Sequence, residues 1–179
     1  LLPQSVYYLY AASRLADVAG GEKVIFSVPS GNFGDLMGGL LALHMGLPVE
    51  RFVVATNAND EVPRFLETGR YAKLDPSLKC ISNAMNVGHP SNLARVVDLY
   101  GGSMDEVGNL RVPPDLARMR RELHGVSIDD SRTREAIVEA YRTQGAILEP
   151  HGAVGWAGLQ SFLDEHPELA GTTAISLET

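Results

Sequence analysis

The sequence predicts an α/β fold with an open, mostly parallel sheet flanked by helices. Two continuous apolar segments, KVIFSV at 23–28 and RFVVAT at 51–56, have the length and composition of buried strands. Between them, the segment LMGGLLALHMG at 36–46 is typical of a helix that ends at a glycine. A strand, a tight loop, a helix and a second strand in this order form a βαβ unit, in which the strands are parallel and the crossover is right-handed.

The rest of the chain alternates between helical patterns and turns, with a loop-rich segment at 71–92. Gly38 and Gly39 should each weaken their helix by about 1 kcal/mol, so we expect close packing or a nearby ligand on that helix face. The helix near 134–145 has acidic residues before its start and Gly145 at its end. Further helices are predicted at 4–18, 62–69, 93–102, 114–123 and 151–165, and a final strand at 173–177.

Length and composition limit the class of protein. A chain of 179 residues that is 45% hydrophobic can form one domain or a large part of one. The net charge of −7 argues against nucleic-acid and membrane-surface binding, and no apolar run approaches the roughly 18 residues of a membrane span. The single cysteine, Cys80, suits the reducing cytoplasm. Because the chain starts within a helical pattern and stops after a strand, we expect a fragment of a longer protein.

The segment PSGNFGD at 29–35 joins the first predicted strand to the following helix. This is where α/β sheets bind phosphate, because the helix start offers unpaired N–H groups and a partial positive charge. We expect Gly31 and Gly34 to adopt positive φ, Ser30 and Asn32 to add hydrogen-bonding side chains, and Asp35 to cap the helix. The segment matches neither the Walker loop nor the dinucleotide fingerprint, so a purely structural turn is the alternative.

Several motifs resemble threonine synthases of the bacterial and fungal type. They are VPSGNFGD at 28–35, ATNAND at 55–60, VPRFL at 62–66, SNAMNVGHPSN at 82–92 and LEPHGAVG at 148–155. The resemblance implies a fold-type-II pyridoxal-phosphate enzyme that converts O-phospho-L-homoserine and water into L-threonine and phosphate. Residues 1–179 would then be the phosphate-binding part of its large domain. Another fold-type-II lyase, such as a threonine dehydratase or cysteine synthase, and a non-catalytic module for phosphate ligands are the alternatives.

The resemblance also implies roles for individual residues. A hydroxyl, here that of Thr179, would face the pyridine nitrogen, and being neutral it would leave the ring a weaker electron sink than a carboxylate would. The sequence departs from the family at Asn86, where Asp is common, and at Gly152, where Thr is common. The cofactor phosphate would be held by Gly31, Asn32, Phe33, Gly34 and Asp35.

No lysine of this chain lies in the FKD-like context of the family's Schiff-base lysine. The three lysines are Lys23, Lys73 and Lys79. We therefore expect no catalytic residue in this chain and no covalent link to the cofactor.

Three further residues are candidates for the substrate side of the site. Asn57 and Asn59 follow a strand end, where ligands bind in open sheets, but an Asx turn would explain them equally well. His151 lies in a segment that the family places near the cofactor, although a packing or capping role is the alternative. We predict no metal site, because no histidine pair has a metal-ligand spacing such as HExxH. The sequence does not indicate the oligomeric state.

Overall fold

The computed structural model describes residues 1–178, which form seven α-helices, six strands and a few short 3-10 turns. No helix in this range is long and apolar enough to cross a membrane. The helices are α1 (Ser5–Leu15), α2 (Gly34–His44), α3 (Glu61–Thr68), α4 (Leu93–Leu99), α5 (Leu116–Glu122), α6 (Asp130–Gln144) and α7 (Pro150–Glu165). The strands are β1 (Val24–Pro29), β2 (Val49–Thr56), β3 (Ser103–Met104), β4 (Leu110–Val112), β5 (Leu123–Ser127) and β6 (Ala174–Ser176).

The main sheet has four parallel strands in the order β5-β2-β1-β6, which confirms the predicted fold class. From β1 the chain passes to β2 and then β5 on one side, whereas β6, the last strand, pairs with β1 on the other side. The strand order therefore reverses between β1 and β6. In open α/β sheets, ligands bind at the carboxyl ends of the strands beside such a reversal.

Helices cover both faces of the sheet, and the side chains of β1 alternate between them. Phe26 belongs to the core under α1 and α2, where its ring centroid lies 5.0 Å from that of Tyr8. Ile25 points to the opposite face and packs in one cluster with Leu159 and Phe162 of α7. Both faces of this strand are buried, as its continuous apolar sequence predicts.

Close packing explains the glycines of α2. A Cβ at Gly39 would lie 2.7 Å from ring atoms of both Tyr8 and Phe52, and one at Gly38 would lie 2.8 Å from the Cβ of Gln4. α1 and the ring of Phe52 therefore lie so close to α2 that a residue larger than glycine does not fit at these positions. Of the two explanations that the sequence left open, the structure shows packing.

Two features differ from the predicted elements. The predicted helix at 114–123 ends at Glu122, and Leu123 begins β5, a strand that the sequence did not predict. β5 is an edge strand in which only Leu123 is buried, so it lacks the continuous apolar run by which β1 and β2 are recognised. The antiparallel pair of β3 and β4 within 103–112 was also not predicted, because its strands have only two and three residues.

Candidate functional site

The loop at 30–33 follows β1 and leads directly into α2, at the carboxyl edge of the sheet. Its first N–H group, that of Ser30, donates to the carbonyl oxygen of Ala55 at 2.8 Å, and the N–H of Met37 donates to that of Phe33 at 3.1 Å. Between them, the six main-chain N–H groups from Gly31 to Leu36 have no acceptor among residues 1–178. A consecutive run of free donors at a helix start is the arrangement that binds anions.

The backbone of this loop differs from the prediction at its glycines. The left-handed residue is Phe33, with φ 61°, whereas Gly31 and Gly34 do not adopt positive φ. Gly31 is required for another reason, since a Cβ there would lie 2.8 Å from the Cα of Met85. The loop is thus pressed against residues 84–85, and the prediction of positive φ for the two glycines is wrong.

The polar side chains of the loop fix its shape. Asn32 Oδ1 accepts hydrogen bonds from the N–H of Ser91 at 2.8 Å and from its hydroxyl at 3.1 Å. The Asn92 side chain donates to the carbonyl oxygen of Asn32 at 2.9 Å, and the buried Ser30 hydroxyl donates to that of Val28, also at 2.9 Å. These bonds leave the main-chain N–H groups of the loop free. Ser91 and Asn92 were not predicted as part of the site.

Asp35 does not cap α2, and this prediction is wrong. The cap position belongs to Phe33, and Asp35 lies within the first turn of the helix. Its Oδ1 is buried without a hydrogen-bond partner among the described residues. Burial raises the pKa of Asp35, and the Tyr8 hydroxyl opposes this rise.

Two adjoining clefts lie at the start of α2 and share Gln4 and Asp35. The first has a volume of about 280 Å³ and is lined by the 29–36 segment together with Ala84, Met85 and His151. The second, of about 350 Å³, is lined also by Tyr7, Leu177 and Glu178. Both clefts lie where β1 and β6 end, at the reversal of the strand order.

His151 lies in the first turn of α7 and faces the first cleft. Its Nε2 accepts a hydrogen bond from the N–H of Ala84 at 3.1 Å, and its Nδ1 contacts the carboxylate of Glu149. Glu149 caps α7 by accepting the N–H groups of His151 and Gly152. Burial raises the pKa of Glu149, but these N–H bonds and the His151 ring outweigh it, so the pKa lies below its ordinary value. His151 therefore joins α7 to the 84–85 segment behind the loop, and its contact with a substrate stays a prediction.

Asn57 and Asn59 follow β2 but line neither cleft. Asn57 Oδ1 accepts the N–H of Asn59 at 3.0 Å, which is the Asx turn that the sequence left open. The amide of Asn57 donates to Ser82 Oγ at 3.1 Å and to Asn86 Oδ1 at 2.9 Å. The amide of Asn59 donates to the carbonyl of Leu78 at 3.0 Å. Both side chains anchor the 78–86 loop, and their substrate role stays a prediction.

Thr179 lies outside the described residues. Its neighbours Leu177 and Glu178 line the second cleft, and the N–H of Leu177 donates to the carbonyl oxygen of Ser27 at 2.9 Å. The Glu178 carboxylate packs over Gly152, where a Cβ would overlap it. Burial and the nearby charge of Glu149 raise the pKa of Glu178. The space that a side chain at position 152 would need is therefore filled by Glu178.

None of the three lysines lines either cleft. Lys23 precedes β1 and pairs with Glu50 at 3.0 Å, at the sheet edge opposite the loop. Lys73 pairs with Asp75 at 3.7 Å. Lys79 is exposed. Among residues 1–178, the loop at 30–33 thus has no lysine in the clefts beside it.

The chain belongs to a family of enzymes defined by their cofactor: the family described as "Pyridoxal-phosphate dependent enzyme" matches residues 8–177. Within this family, the sequence is similar to threonine synthases. It is 40% identical to the enzyme of Serratia marcescens over 165 residues, which are 92% of this chain and 35% of that protein. It is 38% identical to the Escherichia coli enzyme over 164 residues, again 92% of this chain and 35% of that protein.

The fold is similar to the crystal structure of pyridoxal-phosphate-bound threonine synthase from Brucella melitensis. The TM-score is 0.84 at 29% sequence identity, and the match covers 99% of this chain and 39% of that one. The chain spans 35% of the length of the threonine synthases of Serratia marcescens and Escherichia coli.

Proposed function

We propose that this chain is the part of a threonine synthase that holds the phosphate of pyridoxal 5'-phosphate. The observation that carries the proposal is the run of six unpartnered N–H groups from Gly31 to Leu36 beside a cleft of about 280 Å³. A phosphate ester offers several strong acceptor oxygens, and the start of α2 adds a partial positive charge. The donors of this loop therefore fit the cofactor's phosphate.

The proposed reaction converts O-phospho-L-homoserine and water into L-threonine and phosphate. It is supported by the similarity to threonine synthases along most of the chain. When bound, pyridoxal phosphate supplies the electron sink for breaking bonds at the substrate's carbon atoms. The chain's own contribution is to position this cofactor, because a fixed cofactor lowers the entropy cost of the reaction. We also propose that the protein is located in the cytoplasm.

The residues of the loop have separate tasks in this proposal. Gly31, Asn32, Phe33, Gly34 and Asp35 shape the segment whose amides bind the phosphate. The hydroxyl of Thr179 would face the pyridine nitrogen without charging it. Asn57, Asn59 and His151 would support the loops on the substrate side. The Schiff-base lysine would come from a segment outside residues 1–179, since Lys23, Lys73 and Lys79 lie away from the clefts.

Equilibrium binding to the 179-residue chain tests the phosphate site. We expect pyridoxal phosphate and inorganic phosphate to compete for one site and pyridoxal, which lacks the phosphate, to bind much more weakly. Gly31→Ala should weaken binding, because its Cβ would collide with Met85 and displace the loop. Gly171→Ala is the matched control, since nothing lies within 4 Å of its Cβ. Equal binding of pyridoxal and its phosphate would refute the site.

Two further experiments test the lysine and the reaction. Borohydride reduction in the presence of pyridoxal phosphate should leave no stoichiometric adduct on a lysine of this chain. In the second, residues 8–177 replace the matching segment of the Escherichia coli threonine synthase. We expect the chimera to release phosphate from O-phospho-L-homoserine and the same chimera with Gly31→Ala to lose most of this activity. A folded chimera that binds the cofactor but releases no phosphate would contradict the proposed reaction.

A further inference from the structure

Three metal-binding side chains meet at the far end of α7, away from the phosphate loop. His124 lies on β5, Glu165 is the last residue of α7, and His166 follows it. One ligand atom from each lies within 4.8 Å of the other two. We propose that these three residues bind a divalent transition-metal ion of the zinc type. This proposal differs from the sequence-based prediction of no metal site, which rested on spacing along the chain, whereas β5 and the end of α7 meet only in the fold.

The spacing of the donors is close to that of a zinc site. His124 Nε2 and Glu165 Oε2 are 3.5 Å apart. Ligands about 2.1 Å from a tetrahedral zinc ion lie roughly 3.4 Å from one another, so this pair already has the required separation. Glu165 and His166 are at a helix end, where their side chains are 58% and 30% exposed and can close the remaining gap. Two imidazoles and one carboxylate form a donor set of known zinc sites, whereas calcium and magnesium prefer oxygen ligands alone.

Neighbouring residues fix the positions of the two imidazole rings. The His124 ring packs against Phe162 with centroids 4.9 Å apart and faces the His166 ring at 5.7 Å. Glu168 Oε1 lies 3.1 Å from Nδ1 of His166. A carboxylate that accepts a ring N–H in this way orients a metal-bound histidine.

The charged residues around the three proposed ligands have opposite effects on the binding of a cation. Glu165 and Glu168 favour a cation, whereas Arg51, whose guanidinium lies over the Phe162 ring at 5.9 Å, opposes it. His124 and Glu165 also line an open cleft of about 530 Å³. A metal held by three protein ligands would turn its fourth position toward this cleft and could bind water or an anion there. This cleft shares no residue with the two clefts at the phosphate loop.

Cobalt(II) is the probe, because its visible absorption distinguishes tetrahedral from octahedral coordination. The 179-residue chain is freed of metal with a chelator and titrated with Co²⁺. We expect one equivalent to bind with a tetrahedral spectrum that Zn²⁺ abolishes by displacement. Glu165→Gln and His166→Ala should each weaken Co²⁺ binding more than about tenfold, since each removes one of three ligands. Both positions are solvent-accessible, so circular dichroism should show an unchanged fold.

His44→Ala is the matched control, because His44 lies on α2 and contacts Arg118 instead of this cluster. It should leave Co²⁺ binding unchanged. Glu168→Gln should weaken binding by about tenfold, as the loss of an orienting carboxylate does. The proposal is overturned by an octahedral spectrum, by no binding at all, or by binding that Glu165→Gln and His166→Ala leave intact. Because this readout involves neither cofactor nor substrate, it is independent of the proposed threonine synthase function.

Discussion

At Phe33, a strained backbone conformation occurs together with a well-buried side chain. Its φ of 61° places it in the left-handed region, which costs a non-glycine residue about 1–2 kcal/mol. The side chain is 3% exposed and belongs to the core under α1 and α2. Losing a buried phenylalanine side chain costs about 3–5 kcal/mol, so burial outweighs the strain. This residue turns the chain from β1 into α2, within the run of N–H groups that have no acceptor among residues 1–178.

We therefore expect Phe33→Gly to destabilise the fold by roughly 2 kcal/mol, although glycine relieves the strain. Urea unfolding followed by circular dichroism measures the change. Gly46→Ala is a useful comparison, because Gly46 has φ 103° with nothing within 4 Å of its Cβ, so it reports strain alone. A Phe33→Gly variant as stable as the parent would mean that the side chain contributes less than the strain removes.

Glu61 is a buried acid, with 2% exposure and an Oε2 that has no partner among the described residues. Burial raises its pKa to about 7, and the charge of Asp60 adds to the rise. Between pH 4.5, its ordinary pKa, and pH 7 the folded chain holds a proton that the unfolded chain has lost. Stability should therefore fall as the pH rises through this range and level off above it.

The corresponding prediction is that Glu61→Gln removes this decline and stabilises the chain at pH 8 by up to about 3 kcal/mol. Urea unfolding at intervals from pH 5 to pH 8 measures it. Glu67→Gln, at an exposed position of the same helix, should keep the parent's pH dependence. A variant at position 61 that lost stability with rising pH as steeply as the parent would show that other groups, such as Asp35 and Glu178 with their raised pKa, are responsible for the decline.

At the scale of elements, α2 depends on the absence of side chains on one face. A Cβ at Gly39 would lie 2.7 Å from the rings of Tyr8 and Phe52, both completely buried. Alanine gains about 1 kcal/mol of helix propensity over glycine, whereas overpacking a core costs about 1–3 kcal/mol or more. Because two rigid rings would have to move, the overpacking should prevail.

Gly39→Ala should consequently destabilise the chain by about 1–2 kcal/mol. Thermal unfolding at a fixed pH measures the effect. The same exchange at Gly171, which has open space around it, should change stability by less than about 0.5 kcal/mol. A Gly39→Ala variant that unfolds at a higher temperature than the parent would show that α1 moves aside at little cost.

The sequence predicted the elements that have a strong local signal. β1 and most of β2 are continuous apolar runs buried on both faces, and α7, predicted at 151–165, spans Pro150–Glu165. β5 lacks a continuous apolar run, because it is covered by β2, its neighbour in the sheet, and by α3. At Gly125, for example, an added Cβ would lie 2.7 Å from the Cα of Pro63, a residue of α3 that is distant in the chain.

The candidate site was predictable in part for the same reason. The position of SGNFGD between a strand and a helix is a local property, so the loop could be identified from the sequence. The contacts of Asn32 with Ser91 and Asn92 depend on tertiary structure and could not. The positive φ of Phe33 could not be predicted either, because residues other than glycine rarely adopt it and no sequence pattern marks Phe33 as an exception.

At the scale of the whole molecule, cofactor binding should increase the free energy of unfolding. A ligand that binds only the folded chain adds about 2.7 kcal/mol at a concentration 100 times its dissociation constant. We expect pyridoxal phosphate to raise the unfolding temperature of the chain and pyridoxal to do so much less. Gly31→Ala should lose most of this gain. An equal gain from both compounds would place the binding somewhere other than the six N–H groups of the loop.

The pairing of β1 with β6 joins residues 25–27 to residues 174–176. β1 lies at the centre of the sheet, yet one of its two neighbours is β6, which follows it at a long distance in the chain. During translation, the β6-facing edge of β1 must remain unpaired until residues 174–176 have left the ribosome. Such distant pairing slows folding and leaves an aggregation-prone edge exposed meanwhile. Chaperones that cover nascent chains would therefore be most needed in the interval between the synthesis of β1 and that of β6.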